Sequence, residues 1–394
     1  MDNFVLHIPT KVVFGKGEFN SLGKYARELG TKALVVTGRR FAKESGLLDK
    51  ALKQLDEVGI KYVVYSEIEP NPESKTVDKG GEVARNENVD FIIAIGGGSV
   101  IDAAKGIAIV AKTGNGIWDY LERPPKKRVM SDVLPILSVV TVAATGSELD
   151  GAAVITNTDT RHKRGIMSPF LYPKISIVDP LLTISIPQKQ TIDGVVDMFT
   201  HILEGYLSSK VYAPVSDAIS EALMKEAIHF GEIAYENPND VNARESLSWI
   251  SSLALSQIPS AGRSGPFPIH RLEHPISGLY GISHGRGLAI LLPAFLYITK
   301  DIHEERLKKL GKAIFSTDSP TKTIERIVHY LKKVDAFESL KKYAVRREDL
   351  DKFAKMAFED EGKDVILARA PLTTDVVLKI YELAYDYKDL FKNA

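Results

Sequence analysis

At 394 residues the chain is too long for one ordinary hydrophobic core, so two domains, or a large one with a second lobe, are expected. Its 51 basic and 51 acidic residues cancel at a sequence pI near 7.1, which excludes a global field drawing nucleic acid or acidic membranes; 44% hydrophobic and 26% charged residues is an ordinary soluble composition. The absence of cysteine excludes disulfides, iron–sulfur clusters and thiolate ligands, leaving His, Asp and Glu for any metal.

The start, Met1 to Thr10, has no basic segment followed by a long apolar run and so does not read as a signal peptide. The longest apolar run, Gly287 to Ile298, is too short to span a bilayer and contains Pro293. A cytoplasmic protein with no membrane and no nucleic-acid partner is predicted. Lys11 to Phe14 reads as an early strand ending in a Gly15-Lys16-Gly17 turn. Ala33 to Thr37, Tyr62 to Tyr65 and Phe91 to Ile95 are short β-branched runs, with helical periodicity over Gly46 to Val58 and Val77 to Asn86 between them. That alternation predicts a parallel sheet covered on both faces.

The third run passes into Gly96-Gly97-Gly98-Ser99 and an apolar helix start carrying Asp102 and Lys105. Glycines between strand and helix let a backbone approach a pyrophosphate, and the helix N-terminus adds free amides and a positive dipole end; a plain tight turn is an equal reading of the run alone. Leu134 to Val142 is a further buried strand, leading into the small and hydroxyl-bearing stretch Ala143 to Glu148. Val154 to Thr156 and Ile175 to Val178 are expected to continue the sheet, with a basic, turn-rich segment between them.

From about Thr183 the strand signal stops. Val195 to Leu207, Val215 to Ala234, Ala243 to Ser256, His284 to Thr299, Glu304 to Ile314, Thr321 to Leu331, Arg347 to Phe358 and Thr374 to Leu383 carry helical spacing. The fold class follows: an α/β lobe with a parallel sheet over residues 1–183 and an all-helical lobe over 184–394. Within the second, Asp197 and His201 share a helical face, and His270, His274 and His284 fall in one short stretch. One carboxylate with two or three imidazoles suits a divalent first-row metal, whereas any single histidine would more simply be a satisfied core residue. Pro275 is expected to push His274 out of helical geometry, so that His270 and His274 need not face the same point. Tyr206 and Lys210 match the Tyr-x-x-x-Lys pattern of short-chain dehydrogenases, but without that family's N-terminal glycine fingerprint the match reads as coincidence.

Taken together, the Gly-Gly-Gly-Ser-x-x-Asp-x-x-Lys run from Gly96 to Lys105, the Thr-Gly-Ser-Glu run from Thr145 to Glu148, the Asp197 and His201 pair, the His-x-x-x-His-Pro run from His270 to Pro275, and His284-Gly285 resemble the iron-dependent (group III) alcohol dehydrogenase family over nearly the whole chain. The Ala-Thr-Gly-Ser-Glu-Leu form looks most like its butanol dehydrogenase and broad-range aldehyde reductase branch. The resemblance implies a dinucleotide-binding first lobe, a helical metal lobe, and hydride transfer between NAD(P)(H) and a small alcohol or aldehyde with Fe²⁺, or alternatively Zn²⁺. It implies Asp197, His201, His270 and His284 as ligands, with His274 as a nearby catalytic, non-ligating histidine. It also implies a cofactor site lined by Asn71, Gly97, Gly98, Ser99, Asp102, Thr141, Thr145 and Lys163, and a homodimer is expected. Gly38 stands where an acid would bind the adenosine ribose hydroxyls, and Arg39 and Arg40 follow it, so NADP(H) is favoured over NAD(H). The alternatives are a dehydroquinate-synthase-like lyase and a non-catalytic nucleotide sensor.

Overall fold

The β-branched runs of the first half become the strands β1 (Lys11–Phe14), β2 (Lys32–Gly38), β3 (Lys61–Ile68), β4 (Phe91–Gly96), β5 (Ile136–Val140) and β8 (Ile175–Val178). They form a six-stranded sheet in the order β1-β8-β5-β4-β2-β3, every neighbouring pair parallel. Every residue of β4 and β5 is buried, as central strands covered on both faces must be. The helices of this half are α1 (Leu22–Ala26), α2 (Phe41–Glu44), α3 (Leu47–Glu57), α4 (Ser74–Asn86), α5 (Gly98–Thr113) and α6 (Trp118–Leu121). The computed structural model describes residues 1–122, 128–263, 265–362, 366, 368–387 and 390–391.

The chain divides into two units, one of His7–Ile186 and one of Met1–Leu6 with Pro187–Ala394. The first is the α/β unit. One strand expectation needs correcting: Ala152–Thr156 (β6) does not continue the main sheet but pairs antiparallel with Lys163–Met167 (β7) as a separate two-stranded ribbon. The sequence Lys-Arg-Gly-Ile-Met of β7 has no alternating apolar signal, so the segment reads as a basic loop until its partner is known.

The second unit is helical: α7 (Gln188–Ser208), α8 (Pro214–Glu236), α9 (Val241–Ala254), α10 (Pro268–Tyr280), α11 (His284–Ile298), α12 (Glu304–Phe315), α13 (Pro320–Lys333), α14 (Leu350–Glu361) and α15 (Thr374–Tyr385). Helices α7 and α11 are buried along nearly their whole length and form the centre of the unit. They touch where α11 begins: a Cβ on Gly285 would lie 2.1 Å from the Asp193 carbonyl oxygen of α7. Helix α10 is the second correction, because it runs unbroken through Pro275. The proline ring removes one amide from the helical ladder but does not end the helix, since the ten buried residues from Pro268 to Gly278 fasten it against its neighbours. No helix of the described residues is long and apolar enough to cross a membrane.

Candidate metal centre

Three buried helices of the second unit converge at Asp197. Asp197 and His201 lie one turn apart on α7, His270 sits in the first turn of α10, and His284 opens α11. One potential ligand atom from each of Asp197, His201 and His270 falls within a sphere in which all lie within 4.8 Å of one another. Asp197 Oδ1 is 3.0 Å from His201 Nδ1, 3.7 Å from His270 Nε2 and 3.9 Å from His284 Nε2. The His201 and His270 rings are 3.9 Å apart between centroids, and those of His270 and His284 5.1 Å.

The electrostatics of this cluster call for a cation. Asp197, Glu204 and Glu273 are three carboxylates exposed by 3%, 1% and 0%, and burial of unpaired negative charge is strongly unfavourable. Burial alone would raise the Asp197 pKa, yet His201, then His270 and His284, hold it far below the usual carboxylate range. Burial alone would also lower that of His270, but the Glu204 and Asp197 carboxylates hold it up at about 9. His201 is driven down, by burial first and then by its neighbour His270, against the pull of Asp197. A group of this kind attracts either a proton or a metal ion. Two buried atoms, Asp197 Oδ1 and His270 Nε2, make no hydrogen bond among the described residues, which is how ligand atoms facing a cation are left. A carboxylate with imidazoles and no thiolate suits Fe²⁺ or Zn²⁺.

His274 lies one turn beyond His270 on the same helix, with its ring 6.1 Å from that of His284. The broken register expected from Pro275 is not found, since α10 carries His270 and His274 on one continuous helix. Tyr206 is fully buried, donates to Glu221 at 2.7 Å and is covered by the Arg306 guanidinium 3.7 Å from its ring centre, while Lys210 is exposed. The short-chain dehydrogenase match is therefore coincidental. Two residues of the centre were missed from the sequence: Glu204 accepts from His270 Nδ1, and Glu273 accepts from His284 Nδ1.

The residues expected at a cofactor site belong to the α/β unit. Gly97 joins β4 to α5, whose sixteen residues present at the helix N-terminus the amides of Gly98 and Ser99, which make no hydrogen bond among the described residues, beyond the carboxyl end of a central strand. Close packing shapes this turn: a Cβ on Gly98 would lie 2.6 Å from Thr145 Oγ1, and the Thr141 amide bonds the Gly96 carbonyl at 3.0 Å. Asp102 accepts from the Ser147 hydroxyl and the Val154 amide at 2.5 and 2.9 Å; burial pushes its carboxyl up to about 6 against the restraint of Lys105. Asn71 holds a left-handed φ of 56° and accepts from Lys163 Nζ at 2.9 Å, so two residues far apart in sequence meet. At the end of β2, Arg39 donates to the Glu67 carbonyl and to Glu69, while Arg40 is exposed. A Cβ on Gly38 would meet nothing nearer than the Ile68 carbonyl at 3.7 Å.

Comparison with known proteins agrees with this layout. The model of the "Iron-containing alcohol dehydrogenase" family matches residues 9–180, and that of the "Fe-containing alcohol dehydrogenase family, C-terminal" matches residues 191–385. The chain is 36% identical to the NADH-dependent butanol dehydrogenase A of Clostridium acetobutylicum, over 98% of this chain and 100% of that protein. It is 29% identical to the NADPH-dependent aldehyde reductase YqhD of Escherichia coli, over 98% and 100% of the two. The crystal structure of the NADH-dependent butanol dehydrogenase A from Thermotoga maritima superposes with a TM-score of 0.93 at 36% identity, covering 98% of this chain and 99% of that one.

Proposed function

The chain belongs to the iron-containing alcohol dehydrogenase family, and from that premise we propose how its NAD(P)-dependent alcohol dehydrogenase and aldehyde reductase activity is distributed over its residues. Asp197, His201, His270 and His284 hold the divalent metal, Fe²⁺ in preference to Zn²⁺. The observation that carries this assignment is the convergence of three helix-borne imidazoles on Asp197 Oδ1, with Asp197 Oδ1 and His270 Nε2 buried and making no hydrogen bond among the described residues. A divalent ion there supplies Lewis acidity toward an alcohol or carbonyl oxygen, and a nicotinamide supplies the hydride partner. His284→Ala should lose bound metal and butanol oxidation together; full metal content in a folded His284→Ala protein would overturn the assignment.

His274 holds or passes the substrate proton from its place one turn beyond His270. His274→Ala should keep its metal and lose turnover or shift its pH profile. The substrate is a small uncharged alcohol or aldehyde. Arg263, the one cation in the stretch leading to α10, supports this, because it is 5% exposed and already committed to Asp217, Ser220 and the Pro259 carbonyl; Ser264, in the same stretch, lies outside the described residues. A buried guanidinium already paired with a carboxylate is a poor partner for a phosphorylated or dicarboxylic substrate, which weighs against the lyase alternative.

For the cofactor site we assign residues 1–183 as the dinucleotide-binding domain and 184–394 as the metal and substrate domain. Asn71, Gly97, Gly98, Ser99, Asp102, Thr141, Thr145 and Lys163 line the cofactor, and NADP(H) is preferred over NAD(H) through Gly38, Arg39 and Arg40. The absence of an acid at Gly38 and the exposure of Arg40 support that preference; the NADH dependence named for the Clostridium relative is the contrary precedent. The ratio of catalytic efficiencies with the two cofactors, in wild type and Gly38→Asp, tests it, and a wild type already favouring NADH would end it. A cytoplasmic homodimer completes the proposal. Phe4, Val5 and Leu6 are 50%, 88% and 46% exposed, and their backbone amides make no hydrogen bond among the described residues, so a second copy could pair with this extended segment. Sedimentation of wild type against a Val5→Lys variant checks the oligomer.

A further inference from the structure

Each imidazole in the cluster has two ring nitrogens, and only one can face a cation. Which one does so is decided by what the other touches. His201 Nδ1 faces Asp197 alone, 3.1 Å from its carbonyl oxygen and 3.0 Å from its Oδ1, so no separate acceptor sets the tautomer of this ring. His270 Nδ1 is hydrogen-bonded to Glu204 Oε2, and His284 Nδ1 to Glu273 Oε2. An ionised carboxylate only accepts, so in both pairs the Nδ1 carries the proton and the lone pair of Nε2 is turned toward Asp197.

The two glutamates are placed by different means. Glu204 lies on α7, seven residues after Asp197 and so on the same face, and it reaches across to α10. Its second oxygen, Oε1, accepts the Ile269 amide, one of the α10 amides that no preceding turn can satisfy. One carboxylate thus docks the start of α10 and orients the ligand that follows it. Glu273 lies on α10 itself and reaches α11, with Oε1 taking the Ser277 hydroxyl and Oε2 taking His284. The approach of α11 is close here: a Cβ on Gly287 would lie 2.6 Å from Glu273 Oε1.

We propose that Glu204 and Glu273 are positioning residues of the metal centre, which fix His270 and His284 as Nε2 donors and add the negative charge that raises affinity for a divalent cation. The proposal rests on the reading of Asp197, His201, His270 and His284 as the ligands, and extends it to the residues that orient them. Both sites need a carboxylate because each oxygen receives a separate donor. A glutamine would accept one and turn its own NH₂ on the other.

The test is the zinc affinity of the purified full-length protein, by competition with a chromophoric chelator, in wild type, Glu204→Gln and Glu273→Gln. Each substitution is expected to weaken binding about 10–100-fold. The visible absorption of the Co²⁺-substituted protein should change in both variants. Glu221→Gln is the control for a merely structural effect. It neutralises the carboxylate that accepts from the hydroxyl of Tyr206, a residue on the same helix as Glu204, and should lower thermal stability while leaving metal affinity and the cobalt spectrum in place. If either variant fails to fold, the wild type suffices: ¹⁵N-histidine NMR of the zinc-loaded protein should show the proton of His270 and His284 on Nδ1. A proton on Nε2 of either would overturn the proposal. So would wild-type affinity in both glutamine variants when His284→Ala has lost its metal, a result that leaves the ligand assignment standing. Retention of metal by His284→Ala would instead remove the ligand assignment, and this proposal with it.

Discussion

The sharpest test of how the metal centre is built is Gly285→Ala, because two effects of opposite sign compete in it. Gly285 is the second residue of α11, and alanine is intrinsically better than glycine inside a helix by up to about 1 kcal/mol. If nothing approached this position, the variant would be slightly stabilised. The structure places the Asp193 carbonyl oxygen 2.1 Å, its carbonyl carbon 2.6 Å and its Cα 3.0 Å from where the new methyl must go. An ordinary carbon–oxygen contact is about 3.3 Å, so α11 and α7 must separate by ~1 Å, and overpacking of this kind costs about 1–3 kcal/mol. The separation cannot be local, since Asp193 also holds Ser283 at 2.8 Å and Arg286 at 2.8 Å on either side of His284. His284 would be carried away from Asp197, and a displacement of ~1 Å in a ligand is enough to cost about 100-fold in function. Urea unfolding of the metal-free protein and chelator competition measure the two consequences separately. The expected outcome is a loss of stability with a loss of zinc affinity. A variant as stable as wild type, with unchanged affinity, would show that α7 and α11 are not in contact as described.

Other consequences concern buried polar groups. Lys105, fully buried, has its ammonium within hydrogen-bond distance of the carbonyls of Ser147, Asp150 and Ala152, the Ser147 hydroxyl and the Asp150 carboxylate, which share its N–H donors; Lys105→Met should cost about 3–5 kcal/mol in denaturant unfolding and weaken binding of the nicotinamide cofactor. Pro293 interrupts the amide ladder of α11, and the Tyr387 hydroxyl bridges that stretch by donating to the Ile290 carbonyl and accepting from the Ala294 amide, so Tyr387→Phe should lower stability by about 1–3 kcal/mol in the same assay. Burial, opposed by the Thr299 carbonyl and reinforced by Arg369, lowers the His303 pKa from 6.5 to about 4. The unfolded chain therefore takes up this proton first, so the contribution is full above pH 6.5 and is lost as pH falls toward 4, by about 3 kcal/mol at most. His303→Gln should flatten that limb of the stability curve.

The parallel sheet and most helices were legible because their apolar period is written in consecutive residues. Phe91 to Ile95 is apolar at every position as a doubly covered strand must be, and α13 alternates faces at helical spacing. Two elements failed for identifiable reasons. Strand β7 depends on β6 rather than on its own residues, and α10 carries a proline whose local preference is overruled by burial of ten residues against its neighbours. At the candidate site, Asp197 and His201 were readable as one helical face. Glu204 and Glu273 were not, because an acid on an amphipathic helix has the same appearance whether its carboxylate meets water or a buried imidazole. The repeat distances from Asp197 to His201 and Glu204 did hold the placement, since all three share a face of α7.

The separation of His270 from His284 explains why helical spacing alone could not join them. From His270 to the end of α10 at Tyr280 the chain rises about 15 Å at 1.5 Å per residue, so a helix starting where α10 stops would leave His284 far from His270. Yet the rings are 5.1 Å apart between centroids. The connection has to run backwards. Gly281, at a left-handed φ of 66°, closes α10 and turns the chain, and the Ile282 carbonyl then lies beside Ser277, accepting from its hydroxyl at 2.9 Å. Ser283 is fastened to Asp193 of α7, so α11 begins not past the end of α10 but alongside its middle, with His284 against Glu273. The fourteen-residue interval therefore measures a helix followed by a doubled-back turn, not a helical period. Ser277 takes part in both halves of this device, its one hydroxyl proton shared between the carbonyl of the returning loop and the carboxylate that orients His284. Closure of the candidate metal centre is thus a property of the α10–α11 turn as much as of the side chains proposed to face one another across it.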